Sequence, residues 1–108
     1  MSFDRREITE LFKSARRVLR HPIFDMLVAP KAQHNARILV TTPKRIGHAP
    51  ARNKIRRQLK ALFYEEKFFN QKYDCIVVVK NLEGVTFDIL KGLIKTVLQK
   101  VNGDSVVP

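Results

Sequence analysis

The chain has 108 residues, of which 44% are hydrophobic, enough apolar material for one compact core and too little for two, so we expect a single domain over residues 1–108. A formal net charge of +11 makes nucleic acid the first partner to consider. No apolar run approaches the roughly 20 residues that a membrane-spanning helix needs, and the polar start Met1-Ser2-Phe3-Asp4 does not resemble a secretory signal, so we expect a cytoplasmic protein with no membrane partner.

The first predicted element is a helix that begins after Asp4 and runs to about Val18. Asp4 and Glu7 have the spacing of a capping box, and an apolar stripe follows at helical spacing, formed by Ile8, Leu11, Phe12 and Ala15. Two short segments rich in β-branched residues come next, Ile23–Ala29 and Arg37–Thr42, and each is followed by a proline. We expect these segments to pair with each other as strands across a polar turn.

The second half of the chain predicts a helix, a strand and a last helix. Pro50 suits the first position of a helix over Pro50–Tyr64, because its missing N–H would be unpaired there anyway. The strand Tyr73–Val79 contains the single cysteine, Cys75, which we expect to be a buried structural thiol. Thr86, a residue type favoured as an N-cap, marks the start of the last helix. The predicted order α-β-β-α-β-α indicates an α/β (α+β) two-layer sandwich, with one mixed sheet packed against helices.

Positive charge is concentrated in the middle of the chain. No acidic residue occurs between Asp25 and Glu65, and nine basic residues do: Lys31, Arg37, Lys44, Arg45, Arg52, Lys54, Arg56, Arg57 and Lys60. No Gly/Ser-rich linker or repeat separates this stretch from its flanks, so it must belong to the same fold.

The second predicted helix carries much of that charge on one side. On a helical wheel Ile55, Leu59 and Leu62 lie within about 80° of Ala51 and predict the side that packs on the core. Arg52 lies at the border of this side, Lys54 lies on the far side, and the face opposite carries Asn53, Arg56, Arg57 and Lys60. We expect the side chains of Arg56 and Arg57 to point to solvent. Basic helix faces are often only solvated surface, but arginines that fork onto phosphates beside an asparagine favour nucleic-acid binding.

The segment over residues 44–60 resembles the bacterial ribonuclease P protein. In that family a Lys-basic-x-Gly-x-Ala loop enters a helix bearing Arg-Asn-Arg, and here the loop is Lys44-Arg45-Ile46-Gly47-His48-Ala49 and the helix bears Arg52-Asn53-Lys54. Chain length and element order extend the resemblance over nearly all of the sequence. Departures from the family pattern concern details of leader contact: Lys54 replaces an Arg, Pro50 a Val, Ala61 a Glu and Ile8 an aromatic residue.

The resemblance implies a ribosomal-protein-like domain with a left-handed βαβ crossover. It implies a protein subunit that binds the ribonuclease P RNA and holds the single-stranded 5′ leader of precursor tRNA in a cleft beside the sheet. Hydrolysis would use Mg²⁺ held by the RNA, with no catalytic side chain, protein-bound cofactor, metal site or small-molecule substrate. The expected RNA-binding residues are Lys44, Arg45, Arg52, Asn53, Lys54, Arg56, Arg57 and Lys60.

The remaining candidate residues have weaker patterns. The residues themselves show no carboxylate pair or Cys/His cluster at useful spacing, and His21, His34 and His48 are expected at the surface. Phe12 either packs in the core or stacks on a leader base.

Two other classes of protein remain open. A ribosomal protein of related fold would bind ribosomal RNA with a similar basic surface, but it would not change cleavage by the ribonuclease P RNA. A basic module that coats membranes or DNA fits the charge but not the mixed α/β pattern.

Overall fold

The computed structural model describes residues 3–104, with side chains over residues 3–102. Three helices and four strands follow in the order α-β-β-β-α-β-α. They are α1 (Arg5–Ser14), β1 (Arg16–Arg20), β2 (Phe24–Pro30), β3 (Ile38–Thr41), α2 (Ala49–Glu65), β4 (Tyr73–Val79) and α3 (Phe87–Asp104). Short 3₁₀ turns at Lys44–Ile46 and Phe68–Asn70 flank α2. The predicted sandwich of one sheet and helices is confirmed, with one strand more than the sequence pattern indicated.

The four strands form one mixed sheet in the order β1-β2-β4-β3. β4 pairs antiparallel with β2 and parallel with β3. The predicted pairing of the segments that form β2 and β3 is therefore wrong, because β4 lies between them. Its residues Cys75, Ile76 and Val77 are completely buried, and such an apolar run suits a central strand covered on both faces. The parallel pair requires a crossover, and α2 supplies it.

The extra strand is β1, which the sequence pattern assigned to the first helix. α1 ends at Ser14, Ala15 is already extended, and Arg16–Arg20 pairs antiparallel with β2 across a bulge between Arg17 and Leu19. Arginine and leucine are good helix formers, so local propensity continues the helix to Val18. Pairing with β2 overrides that propensity, and this interaction lies outside any local window of sequence.

The helices cover the two faces of the sheet unequally. α2 and α3 pack on one face, where the main core contains Phe24, Met26 and Val77. The wheel prediction for α2 is confirmed, since Ile55, Leu59, Leu62 and Phe63 are its buried residues. On the other face α1 buries Leu11 against Ala29 and Ile76. α1 therefore adds a partial third layer and leaves the rest of this face uncovered by a helix.

Several local predictions are confirmed. Asp4 Oδ1 accepts a hydrogen bond from the Glu7 backbone N–H at 2.8 Å, and Glu7 Oε1 accepts one from the Asp4 N–H at 3.2 Å, which completes the capping box. Thr86 Oγ1 accepts from the Ile89 N–H at 3.2 Å and caps α3. Burial raises the pKa of the Cys75 thiol to about 12, so the cysteine is a structural thiol rather than a nucleophile.

A buried arginine ties α1 to the sheet. Arg37, directly before β3, is only 2% exposed. Its Nη2 lies 2.7 Å from Glu7 Oε2, and its guanidinium carbon lies 4.0 Å from the centre of the Phe3 ring. Its backbone N–H donates to Asp74 Oδ1 at 2.8 Å. Arg37 counted toward the positive stretch in the sequence, yet it belongs to the interior.

Leu59→Ala should lower the free energy of unfolding by about 2–5 kcal/mol, because it leaves a cavity at a fully buried position. Arg57→Ala, on the exposed side of the same helix, is the matched control and should change stability by no more than about 0.5 kcal/mol. Thermal or urea unfolding measures both. Equal effects of the two substitutions would show that the helix has been assigned the wrong buried side.

Glu7→Gln should lower the melting temperature at neutral pH and have little effect in acid. The hydrogen bond from Arg37, and then that from the Asp4 backbone, hold the pKa of Glu7 below its ordinary value. Its contribution to stability is therefore complete above the unfolded-state pKa of about 4.3 and is lost as the pH falls through the lower folded-state value.

Melting curves from about pH 7 to about pH 3 test this expectation. Glu10→Gln is the control, because Glu10 lies at the surface, 3.6 Å from Lys13. A melting-temperature difference between Glu7→Gln and wild type that stayed constant over this range would contradict an electrostatic role for Glu7.

Candidate nucleic-acid interface

The predicted basic loop lies between β3 and α2. Lys44 and Arg45 are exposed in the 3₁₀ turn, and Gly47 follows it. A Cβ at Gly47 would come within 3.1 Å of Leu82 Cδ1, in the connection between β4 and α3. The glycine therefore allows close packing of the loop, which places both cations beside the start of α2.

The start of α2 differs by one residue from the prediction. The helix begins at Ala49, so Pro50 is its second residue rather than its first. His48 is in the N-cap position with an extended backbone, and its side chain makes no capping hydrogen bond. Backbone N–H groups at a helix start carry partial positive charge, which adds to that of Lys44 and Arg45.

We define the α2 basic surface as the eight residues predicted to bind RNA: Lys44, Arg45, Arg52, Asn53, Lys54, Arg56, Arg57 and Lys60. Six of them are exposed, while Arg52 and Arg56 are half-buried. Pro50, Asn53, Arg56, Arg57 and Lys60 line one shallow depression. Within residues 3–102, no acidic side chain lies in salt-bridge distance of any cation of this surface. The structure thus brings these residues together and leaves their charge uncompensated.

Two arginines of this surface are held by the end of β3. Arg56 Nη1 donates to Thr42 Oγ1 at 2.8 Å, and Arg52 Nη1 donates to the Thr42 carbonyl at 3.4 Å. Arg56 Nη2 also donates to Asn53 Oδ1. The expectation that Arg56 points freely to solvent is therefore wrong, whereas Arg57 is exposed as expected.

Thr42 is a residue of this surface that the sequence pattern did not indicate. Its only sequence signal is its position, as a hydroxyl residue at the end of a strand that leads into a basic loop. Through the hydrogen bond from Arg56, Asn53 orders a neighbouring arginine of the surface.

Phe12 lies at the surface. It is 44% exposed, so core packing does not account for it. On the α1 wheel Glu7 and Ser14 lie on one side of the buried Leu11, and Phe12 lies about 100° to the other side. Glu7 and Ser14 line a depression together with Asp74. Phe12 therefore borders the opposite part of this sheet face, the part that no helix covers.

The three histidines are scattered. His34 and His48 are exposed, and half-buried His21 accepts a hydrogen bond on Nδ1 from the Ile23 N–H at 3.1 Å. Among the side chains described over residues 3–102, no three of His, Cys, Asp or Glu are placed so that they could hold a metal ion. In the same part of the chain, no helix combines the length and the apolar composition needed to cross a membrane.

Comparison with known proteins identifies a matching family and similar solved structures. The family model of Ribonuclease P matches residues 3–102. No protein with a curated description matches. Among solved structures, the RNase P protein from Thermotoga maritima in complex with 1-(4-fluorophenyl)-2-thiourea is similar, with a TM-score of 0.75, 22% identity, and coverage of 89% of this chain and 94% of that one. The Staphylococcus aureus RNase P protein has a TM-score of 0.71, 19% identity and 93% coverage of both chains.

At these identities the solved structures establish a shared fold, and the family match over nearly the whole sequence establishes descent. This chain belongs to the Ribonuclease P protein family, whose members are part of an endoribonuclease complex.

Proposed function

We propose that this chain is the protein subunit of ribonuclease P, which binds the catalytic RNA and the 5′ leader of precursor tRNA and assists magnesium-dependent removal of the leader. The observation that carries the proposal is the α2 basic surface, where the motif residues of the family come together with no acidic partner within the described chain. A polyanion such as RNA is the natural ligand of such a surface, because each contact between a cation and a phosphate releases counterions that had condensed on the RNA.

The cations of the α2 basic surface divide into two groups. Lys54, Arg57 and Lys60 are exposed and can reach phosphates without losing a protein contact. Arg52 and Arg56 are already oriented by Thr42, and Asn53 holds the second arm of Arg56. A guanidinium held in place loses less side-chain freedom when it forks onto a phosphate.

Phe12 and the uncovered part of the sheet face suit a single strand of RNA. An exposed aromatic ring can stack on any base and is therefore tolerant of leader sequence. Half-buried Leu27, Leu39 and Val78 belong to the same face. The proposal thus places the catalytic RNA on the α2 basic surface and the leader beside Phe12.

The proposal assigns no catalytic step to a protein side chain and assigns the magnesium ions to the RNA subunit. The work of the protein is then to neutralise phosphate charge and to position the leader. A ribosomal protein with the same basic surface would bind RNA equally well, so the decisive experiment measures cleavage rather than binding.

In reconstitution with a ribonuclease P RNA, the full chain should lower the magnesium concentration needed for precursor tRNA cleavage. Its clustered cations replace part of the screening that divalent ions provide. Cleavage of labelled precursor at stepped magnesium concentrations measures the effect, and nuclease-free protein without RNA should cleave nothing. Unchanged cleavage by the RNA would contradict the proposal and favour the ribosomal alternative, and cleavage by protein alone would contradict the assignment of catalysis to RNA.

Arg57→Ala should weaken binding to ribonuclease P RNA and flatten its salt dependence without affecting the fold. Each phosphate that the protein no longer touches removes about 0.7–0.9 from the slope of log affinity against log salt. Arg57 is the cleaner site than Arg56, whose removal also breaks the hydrogen bond to Thr42. Lys100→Ala removes the same charge from an exposed position on α3 and should leave the slope unchanged. Equal slopes for the two variants would show that Arg57 makes no phosphate contact.

A further inference from the structure

The register of the sheet defines a row of four side chains across its uncovered face. Arg20 of β1 is opposite Asp25 of β2, Asp25 is opposite Val78 of β4, and Val78 is beside Thr41 of β3. The neighbouring row contains Ile76, which α1 buries through Leu11. We call the first set the open row. At a strand spacing of about 4.8 Å it spans roughly 14 Å from one edge of the sheet to the other.

The open row is continuous with the α2 basic surface. Its β3 end is Thr41, and the next residue, Thr42, accepts the hydrogen bonds from Arg52 and Arg56. The two regions lie on opposite faces of the sheet and meet at the end of the edge strand β3, so a strand of RNA that leaves those arginines can pass around this end onto the open row. Charge and continuity both indicate single-stranded RNA as the ligand of the open row.

An acidic residue, Asp25, lies within the open row. Asp25 Oδ1 lies 2.8 Å from Lys80 Nζ, and Asp25 Oδ2 lies 3.8 Å from Arg17 Nε. The hydrogen bond from Lys80, and to a smaller extent the charges of Lys80 and Arg17, hold the pKa of Asp25 below its ordinary value, so the carboxylate is ionised at neutral pH. Its side chain is 15% exposed, while those of Lys80 and Arg17 are 33% and 46% exposed.

The Asp25 carboxylate and an RNA phosphate are competing ligands for the same two cations. Both are anions with oxygen acceptors, and Lys80 gives up its contact with Asp25 to the extent that it turns toward a phosphate. On the α2 basic surface the described chain supplies no such competitor. Lys80 and Arg17 therefore have an acidic partner, whereas the cations of the α2 basic surface have none within the described chain.

We propose that Asp25 is an internal counter-ion that weakens the hold of the open row on single-stranded RNA, by occupying Lys80 and Arg17. The inference rests on the proposed function, since it assumes that a leader crosses this face. It identifies Asp25 as a residue that sets leader affinity in this protein. It also predicts that removal of a charged side chain improves binding, which a merely structural ion pair would not do.

The test is the affinity of the full chain for a fluorescently labelled oligouridylate, measured by fluorescence anisotropy over a range of salt concentrations. Asp25→Asn keeps the size of the side chain and should bind about two- to fivefold more tightly at low salt, the range expected for one exposed charge pair. The salt slope should steepen by about 0.7 for each additional phosphate that the freed cations bind. Asp25→Glu keeps the charge and should bind like the wild type.

The matched control is Glu10→Gln. It makes the same change in net charge and also frees a cation from a surface ion pair, with Lys13 at 3.6 Å, but it does so on the side of α1 that faces away from Phe12. Surface charges separated by more than about 8–10 Å are largely screened at physiological salt. An increase in affinity equal to that of Asp25→Asn would attribute the effect to net charge and overturn the proposal.

A second variant covers the case in which Asp25→Asn does not fold, which melting curves will show. Lys80→Met should cost less affinity than Arg57→Ala, because Lys80 is occupied by Asp25 while Arg57 is free of any acid within the described chain. An Asp25→Asn protein that folds but binds no more tightly overturns the inference. So does a Lys80→Met loss as large as that of Arg57→Ala.

The same measurements separate the inference from the proposed function. If the wild type binds the oligouridylate and Arg57→Ala weakens it, RNA binding by the α2 basic surface stands whatever the result at Asp25. If the wild type binds no RNA at all, the proposed function fails first, and the inference fails with it.

Discussion

The parallel pairing of β3 with β4 is the constraint from which the position of the α2 basic surface follows. Two parallel neighbours cannot be joined by a hairpin and need a crossover that returns the chain to the same end of the sheet. α2 is that crossover, and Ile55, Leu59 and Leu62 fix its rotation by burying one side in the main core. On the other side, Arg52 and Arg56 then reach the end of β3, while Arg57 points to solvent. Core packing and the geometry of the α2 basic surface are therefore consequences of the same helix rotation.

The basic side chains of this fold differ in whether they have an acidic partner: the buried one has such a partner, and those on α2 have none within the described chain. The interior cation, Arg37, lies against Glu7 and the Phe3 ring and serves to attach α1. Burial of an unpaired guanidinium would be costly, and the ion pair offsets that cost. On α2 the cations repel one another at a distance of one helical turn, and the described chain places no acid among them to relieve this repulsion. Hydrogen bonds to Thr42 and Asn53 neutralise no charge, so they orient two arginines while leaving them able to bind an anion.

The sequence was most informative where a local pattern and the final environment coincide. The capping box at Asp4, the cap at Thr86 and the buried side of α2 depend on residues within a few positions of each other, and all were predicted. The strand β1 was not, because only its pairing with β2 distinguishes Arg16–Arg20 from a continuation of α1. The partner of β3 was also mispredicted, since two adjacent strand patterns do not reveal that a later strand lies between them. The candidate site residues followed from a family motif, whereas the anchoring role of Thr42 and the contacts of Asp25 required the three-dimensional structure.

Under the proposed function, the contrast between the α2 basic surface and the open row fits the different demands on two RNA partners. A subunit that stays with its catalytic RNA benefits from every cation that it can present, since each phosphate contact adds to affinity. A leader must bind and then leave, and binding that is equally strong before and after cleavage slows turnover without accelerating the chemical step. Under the proposed function, an acid among the cations of the α2 basic surface would weaken assembly. An acid in the open row limits only the affinity for the strand that has to be released, and Asp25 lies in that row, within reach of Lys80 and Arg17.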